Sequence, residues 1–204
     1  MIEKLMIAKS ILKESILNKN LNLLNDTNIY FDYLGYLDCS YSLDPQKHIL
    51  KQDVSEVISF FIDNELPILN LGCINEEISK NLPKLISEGV LTNKAPYNLE
   101  TLRSDLNFLS DVYYSTEEDK KLSERFGWWQ FAFNKPKDNR TDLLIFICAK
   151  RNNIKIIITS NYPDFIWCND IYSTKINPDD KEEILILTPA EMYQVIKEMK
   201  KEIL

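Results

Sequence analysis

The feature that most constrains the fold is a change of hydrophobic period at Gly127. Before this residue, apolar side chains recur at helical spacing. From Trp128 onwards they alternate with a period of two, as on the two faces of a strand. Trp129, Phe131 and Phe133 share one face, which predicts that they point inwards, while Trp128 lies on the other face. We therefore expect helices before residue 127 and strands after it, and we consider residue 127 as a sub-boundary of the domain.

The first two thirds of the chain are predicted to be mainly helical. Leu5, Ala8 and Leu12 form one apolar stripe between charged residues, as on an amphipathic helix. Side chains that can cap a helix then precede further apolar stripes. The helix starts predicted in this way are Asp53, Asn75, Asn98 and Ser115. The segment 28–43 fits a helix and a strand equally well, and its structure is left open.

The last third is predicted to form an antiparallel sheet. The apolar run 143–149 is typical of a strand that is buried on both faces. Short polar connections follow it, and short connections favour antiparallel neighbours because parallel strands need a long crossover. The remaining predicted strands are 128–133, 154–158, 165–168 and 183–187.

The final helix has the clearest start signal. Thr188 is a capping residue, Pro189 occupies the first helical position and Glu191 completes a capping box. The predicted architecture is a single α+β domain over residues 1–204. In it, a mainly helical N-terminal two thirds packs on a C-terminal antiparallel sheet of four or five strands, closed by a C-terminal helix.

Composition restricts the class of partner and the compartment. The chain has 204 residues and a net charge of -7. An acidic surface repels phosphate backbones, so we expect no nucleic-acid partner. The N-terminus lacks a signal-peptide pattern, and no apolar run reaches the roughly 18 residues of a membrane span. These observations predict a cytoplasmic protein that does not bind membranes.

No motif in the chain identifies a reaction. The four cysteines are scattered and the only histidine is His48, so no metal site is predicted. In a reducing compartment such cysteines are typical core residues. Glycine-rich phosphate loops are absent, and we predict no cofactor and no catalytic residue from any motif. The cysteines are Cys39, Cys73, Cys148 and Cys168.

One segment has an unusual charge. Residues 52–79 contain six acidic side chains and no basic one. Four of the six fall at predicted helix starts, where carboxylates stabilise the helix dipole. Asp63 and Glu65 have no such explanation, so we predict that they belong to an acidic surface for a basic partner.

The aromatic residues of the last third are the other candidates for a binding surface. Trp128, Tyr162 and Trp167 are of the types that dominate interfaces, although core packing also explains them. Because neighbouring strand residues face opposite ways, Trp128 is the one predicted to be exposed.

These features favour a non-catalytic protein-binding module. A concrete version is an immunity-type inhibitor, which blocks a basic bacterial toxin enzyme with acidic residues and an aromatic anchor. The alternative is an enzyme with a dispersed carboxylate site, for which Asp142, Asp164 and Asp170, with Tyr162, are candidates. A third hypothesis is self-association through a sheet edge or through Trp128.

Overall fold

The computed structural model describes residues 2–37, 45–108, 112–130 and 136–203. In these residues, helices surround a small parallel sheet. The α-helices are α1 (Ile2–Asn18), α2 (Thr27–Leu37), α3 (Pro45–Asp63), α4 (Gly72–Ser87), α5 (Ala95–Asp105), α6 (Glu117–Phe126), α7 (Arg140–Arg151), α8 (Tyr162–Ile171) and α9 (Pro189–Ile203). The strands are β1 (Leu23–Asn25), β2 (Trp128–Gln130), β3 (Pro136–Asp138), β4 (Ile156–Ile158) and β5 (Leu185–Leu187).

The sheet at the centre of the molecule is parallel. β4 lies between β1 and β5, with Ile157 opposite Leu24 on one side and opposite Ile186 on the other. Single parallel bridges extend the sheet beyond β1, first to Ile68 and then from Ile68 to Phe108. All side chains of β1 and β4 are buried, as in parallel sheets that are covered on both faces.

The order of the five extended segments across the sheet defines its topology. From one edge to the other, the segments are Phe108, Ile68, β1, β4 and β5. Counted along the chain, these are the third, second, first, fourth and fifth segments. The chain therefore proceeds outwards from β1 in one direction and then in the other. Such a reversal leaves a crevice at the carboxyl ends of the two central strands, which here are β1 and β4.

The prediction of a C-terminal antiparallel sheet of four or five strands is wrong. The antiparallel pairing among the described strands is the two-stranded ribbon of β2 and β3. The apolar run 143–149 lies in α7 instead of a strand, and six of its residues are buried. A continuous apolar run is equally typical of a helix that is covered on all sides, so its period could not distinguish the two structures.

The predicted strand 165–168 is also wrong, because these residues lie in α8. Pro163 stands in the first turn of that helix, a position where proline is favoured. The predicted hairpin after residue 149 is instead the end of α7. Asn153 has a φ of 54°, and the Ile154 N–H donates to the Ala149 carbonyl at 3.0 Å. This geometry turns the chain from α7 into β4, which runs parallel to its neighbours.

Several helix starts differ from those predicted. α3 begins before Asp53, so Asp53 and Glu56 lie inside the helix and capping does not explain their charges. α4 and α5 also begin earlier than predicted, and α6 is capped one residue later, by Thr116 with Asp119. Residues 27–37 are helical, which settles most of the segment left open, while residues 38–44 lie outside the described residues. Phe131 and Phe133 also lie outside them, and Trp129 is described by its backbone pairing alone, so the inward direction of these three side chains stays a prediction.

The C-terminal helix agrees with its prediction. The Thr188 hydroxyl accepts from the Glu191 N–H at 3.2 Å, and the Glu191 carboxylate accepts from the Thr188 N–H at 2.8 Å. α9 then packs against α1 and α3, and its buried Met192, Val195 and Ile196 join the main apolar core. None of the described helices is long and apolar enough to cross a membrane.

Replacing the cap of α9 should destabilise the fold. Thr188→Ala removes the acceptor for the Glu191 N–H, so we expect a loss of about 1 kcal/mol of unfolding free energy. Urea unfolding followed by circular dichroism measures the change. Thr101→Ala, at an exposed position of α5, is the matched control and should change stability by less than about 0.5 kcal/mol. Equal effects of the two substitutions would contradict the capping role.

Candidate functional site

Two polar residues follow the central strands at the carboxyl edge of the sheet. Asp26 comes directly after β1 and Thr159 directly after β4, and both are buried. The Thr159 hydroxyl donates to Asp26 Oδ2 at 3.0 Å and accepts from the Asn161 N–H at 2.8 Å. Because the hydroxyl oxygen accepts the hydrogen bond from the Asn161 N–H, the hydroxyl proton points at the carboxylate of Asp26. The carboxyl ends of the two central strands therefore hold a buried, oriented carboxylate.

Asp26 is held by the start of α2 as well. Its Oδ1 accepts from the Thr27 N–H at 2.7 Å, and its Oδ2 accepts from the Asn28 side chain at 3.2 Å. Burial raises the pKa of Asp26 to about 6, against the hydrogen bond from Thr159, which lowers it, while the nearby charge of Glu77 raises it further. At neutral pH Asp26 is therefore mostly ionised and able to accept a proton.

A second pair of side chains reaches the same edge from β3 and α8. Lys137 of β3 forms an ion pair with Oδ2 of Asp164, in the first turn of α8. Asp164 is completely buried, and its Oδ1 has no hydrogen-bond partner among the described residues. A buried oxygen without a partner costs about 1–3 kcal/mol, which makes it a ready acceptor for a donor group of a ligand.

Asp142 connects these groups from the first turn of α7. Burial is the main cause that raises its pKa to about 8, and the charges of Asp26, Asp164 and Glu77 raise it further, against Lys137. Asp142 therefore keeps its proton at neutral pH, within electrostatic range of an ionised Asp26. Two neighbouring carboxyl groups with different protonation states are the usual arrangement of a general acid and a general base.

Glu77 completes the set from α4. The Thr27 hydroxyl donates to Glu77 Oε2 at 2.7 Å, which fixes this carboxylate beside Asp26. We call the set of Asp26, Glu77, Lys137, Asp142 and Asp164 the carboxylate cluster. It carries more negative than positive charge, since Lys137 is its one basic member.

The three cysteines that the structure describes are buried. Burial, followed by the charges of Asp142 and Asp164, raises the pKa of the Cys168 thiol well above its ordinary value, so it stays protonated. Cys73 and Cys148 are free and buried, as expected of core residues, and Cys39 lies outside the described residues. Across the described ranges, no three His, Cys, Asp or Glu side chains are arranged to hold a metal ion.

The aromatic candidates lie in separate places. Trp128 is 52% exposed in the β2–β3 ribbon, as its alternation predicts, and the Arg140 guanidinium lies 5.1 Å from its ring centre. The Arg140 side chain is in turn held by Asp138 through two hydrogen bonds of 2.8 Å. Tyr162 and Trp167 are half-buried in α8 and pack against the core.

The acidic candidates lie at the end of α3. Asp63 is the last residue of that helix, and Glu65 follows it with a φ of 47°. Both side chains are exposed, and Lys19 Nζ lies 3.9 Å from Glu65 Oε2. At this exposure such a pair contributes little to stability, so Asp63 and Glu65 remain available to a partner.

Comparison of the chain with protein-family models, curated proteins and solved structures finds no match. The site is therefore defined by its own geometry. The sequence hypothesis of a dispersed carboxylate site named Asp142 and Asp164, which the fold brings together. It also named Asp170, which is exposed on α8, and it missed Asp26, Glu77 and Lys137. The polar residues after β1 and β4 would have indicated the site if the sheet had been predicted as parallel.

The protonation of Asp142 predicts a specific pH dependence of stability. The pKa of Asp142 is about 8 in the fold against an ordinary 3.8, so the folded state holds an extra proton between these values. Within this window the unfolded chain is ionised at Asp142 and the folded chain is not, so the free energy of unfolding falls as the pH rises. Asp142→Asn removes this ionisation. The melting temperature of the variant minus that of the wild type should therefore increase from about pH 4 to about pH 8 and then level off.

Differential scanning fluorimetry over this pH range measures the effect. The exposed Asp170→Asn is the matched control, and its difference from the wild type should not follow the same curve. Parallel pH curves for Asp142→Asn and the wild type would contradict the raised pKa.

Proposed function

We propose that the chain is an enzyme that performs general acid–base catalysis on a small polar molecule at the carboxylate cluster. The observation that carries this proposal is the convergence of Asp26, Asp142, Asp164 and Lys137 at the carboxyl edge of the sheet. This edge is where open sheets with this strand order bind ligands. The acid–base function corresponds to the sequence hypothesis of an enzyme with a dispersed carboxylate site.

Each member of the cluster has a distinct role in the proposal. Asp142 donates a proton to the substrate, and Asp26 accepts one, since their pKa values differ in the required sense. The hydrogen bond from Thr159 orients Asp26. Lys137 holds Asp164, whose Oδ1 accepts a hydrogen bond from the bound substrate.

The charge of the cluster restricts the substrate class. Phosphate groups are usually bound at helix N-termini, but the carboxylate of Asp26 already occupies the first N–H of α2. The surrounding carboxylates would repel a second anion. The proposed substrate is therefore uncharged or cationic and carries hydroxyl or amino groups that can donate hydrogen bonds.

The acid–base assignment predicts both the substrate and the pH profile. Cell extract separated into anionic, neutral and cationic small molecules is incubated with the protein, and mass spectrometry identifies the compounds consumed. We expect consumption in the neutral or cationic fraction, with a maximum rate between about pH 6 and about pH 8. Below this range Asp26 is protonated, and above it Asp142 is ionised.

Variants separate catalysis from stability. Asp142→Asn and Asp26→Asn should each lower the rate by about 10²–10⁴-fold, the usual contribution of a general acid or base. Asp170→Asn should retain the wild-type rate. Consumption that survives both substitutions, or that is confined to anionic compounds, would refute the proposal.

A second candidate function is protein binding, and the exposed Trp128 favours it. In this proposal the chain is a cytoplasmic, immunity-type inhibitor whose partner is a basic toxin enzyme. Trp128 is the anchor. The sequence hypothesis adds Tyr162 and Trp167, which lie on α8, and Asp63 and Glu65, which lie at the end of α3, as further contacts. The free cysteines Cys73, Cys148 and Cys168 are compatible with a reducing compartment.

Trp128→Ala tests this function. We expect the variant to lose a partner that the wild type captures from the native cell, with a stability change within about 0.5 kcal/mol. Quantitative mass spectrometry of the captured proteins and a thermal melt measure the two effects. Tyr97→Ala, at an exposed aromatic residue of α5, is the control that should keep the partner. A large fall in melting temperature for Trp128→Ala would show a structural role instead.

A further inference from the structure

The buried polar atoms that lack a hydrogen-bond partner point to a further residue of the carboxylate cluster. In the part of the chain that the structure describes, six such side-chain atoms occur, and five of them belong to Asn25, Asn139 and Asp164. The sixth, Asp119 Oδ1, lies 2.5 Å from Arg151 Nε, so an ion pair compensates it. Because folded proteins leave few buried polar groups unpaired, each of the other five needs a physical explanation.

Two of these three residues have a polar neighbour within the chain. Asp164 uses its other oxygen in the ion pair with Lys137. Burial raises the pKa of the Tyr30 hydroxyl and Asn25 lowers it, which places the Asn25 amide beside that hydroxyl. Asn139 is completely buried, and both of its amide atoms lack a partner in the described ranges. Asn139 is therefore the residue for which an explanation outside the chain is required.

Asn139 also departs from the usual role of asparagine at the start of a helix. It is the N-cap residue of α7, where an asparagine side chain normally accepts a hydrogen bond from the first turn. Here the side chain makes no such bond. The backbone is paired instead, since the Asn139 N–H donates to the Gly127 carbonyl at 2.7 Å and the Asn139 carbonyl accepts from the Leu143 N–H at 2.9 Å. The side chain is thus fixed in position without serving the helix, which is expected of a residue that is kept for function.

The exposure of the neighbouring residues shows which way the Asn139 side chain points. Lys137 is half-buried, Asp138 is exposed, Asn139 is buried and Arg140 is exposed. Asp138 and Arg140 form a hydrogen-bonded pair on the outside. Lys137 and Asn139 therefore share the inner face, on which Lys137 forms its ion pair with Asp164. The Asn139 amide thus faces the side of the carboxylate cluster.

The chemistry of the amide defines the group that it can bind. Asn139 stands two residues after Lys137 and three before Asp142, so the chain carries it between two members of the carboxylate cluster. Its amide presents a donor nitrogen and an acceptor oxygen side by side in one plane. A carbonyl next to an N–H, as in a primary amide or a lactam, complements both atoms. Such a group is uncharged, so the surrounding carboxylates do not repel it.

We propose that Asn139 binds the substrate of the carboxylate cluster and selects uncharged molecules that carry a primary amide or a lactam. Its Nδ2 donates to the carbonyl of this group, and its Oδ1 accepts from the N–H. The inference rests on the proposed acid–base function and narrows its substrate class from neutral or cationic molecules to neutral amides. Asn139 holds the substrate, while proton transfer remains with Asp26 and Asp142.

The exposure of the cluster indicates the side from which the substrate enters. The Lys137 side chain is 37% exposed and Asp142 is half-buried, whereas Asn139 and Asp164 are completely buried. The substrate therefore enters from the side of Lys137 and Asp142. Because the four-carbon stem of lysine is flexible, it can move aside while the ammonium group keeps its contact with Asp164. Hydrogen bonds from the enclosed amide group then provide the pairing that Asn139 lacks within the chain.

A substitution by leucine tests the unpaired state of Asn139 without any substrate. Asn139→Leu replaces the amide by an apolar side chain of similar size, so its melting temperature should exceed that of the wild type by about 2 °C. Asn152→Leu, at the other end of α7, is the matched control. The Asn152 amide donates to the Cys148 carbonyl at 2.8 Å, so its loss should lower the melting temperature. Differential scanning fluorimetry measures both shifts. A melting temperature of Asn139→Leu at or below that of the wild type would show that the amide is bonded within the fold and would overturn the inference.

The compound that the protein consumes tests the substrate class. The neutral and cationic fractions of cell extract are incubated with the full chain, and mass spectrometry with fragmentation identifies the compound that disappears. We expect a neutral primary amide or lactam. Consumption of cationic compounds alone, or of a neutral compound with hydroxyl groups alone, would refute the inference and leave the acid–base function intact. If nothing is consumed, both proposals fail.

Kinetic constants for the consumed compound separate binding from catalysis. Asn139→Leu should raise KM by about ten-fold or more, because two hydrogen bonds to the bound substrate are lost, with kcat within about three-fold of the wild type. Asn152→Leu should keep both constants. Asp26→Asn and Asp142→Asn lower kcat, as the acid–base function requires. An unchanged KM for Asn139→Leu, together with a lowered kcat in the two aspartate variants, would exclude the role of Asn139 while supporting the catalytic one.

Discussion

The parallel pairing of β1 with β4 is the constraint on which the rest of the structure depends. These strands are separated by more than half of the chain, and parallel strands can be joined only by a crossover. The described part of that crossover is mainly helical, and the burial of all six residues of the two strands indicates that both faces of the sheet are covered. The same pairing brings Asp26 and Thr159 together, because the carboxyl ends of parallel strands lie at one edge.

The extent to which the sequence predicts the fold follows from the kind of signal each segment carries. The cap of α9 was predicted to the residue because Thr188 and Glu191 act within one helical turn. The run 143–149 was misassigned because its helix is covered on nearly every side, so no polar stripe reveals the helical period. The direction of the sheet could not be predicted either, since it depends on α8, whose residues 165–168 resemble a strand.

The candidate site was predictable only in part, for the same reason. Asp142 and Asp164 were noticed as carboxylates near apolar segments, although both were expected at strand ends and lie in the first turns of helices. Asp26 was missed because its importance comes from Thr159, a residue 133 positions away. Such a cluster also lowers stability, since burial disfavours the charged forms of Asp26 and Asp142. Conflicts of this kind between local chemistry and folding are typical of functional sites.

α8 supplies one side of the carboxylate cluster. Asp164 and Cys168 are one helical turn apart and face the cluster, as their electrostatic interactions with Asp142 show. The ion pair between Asp164 and Lys137 joins α8 to the β2–β3 ribbon. Because interiors are close-packed, the position of this ion pair is the property through which the ribbon contributes to the charge around Asp142.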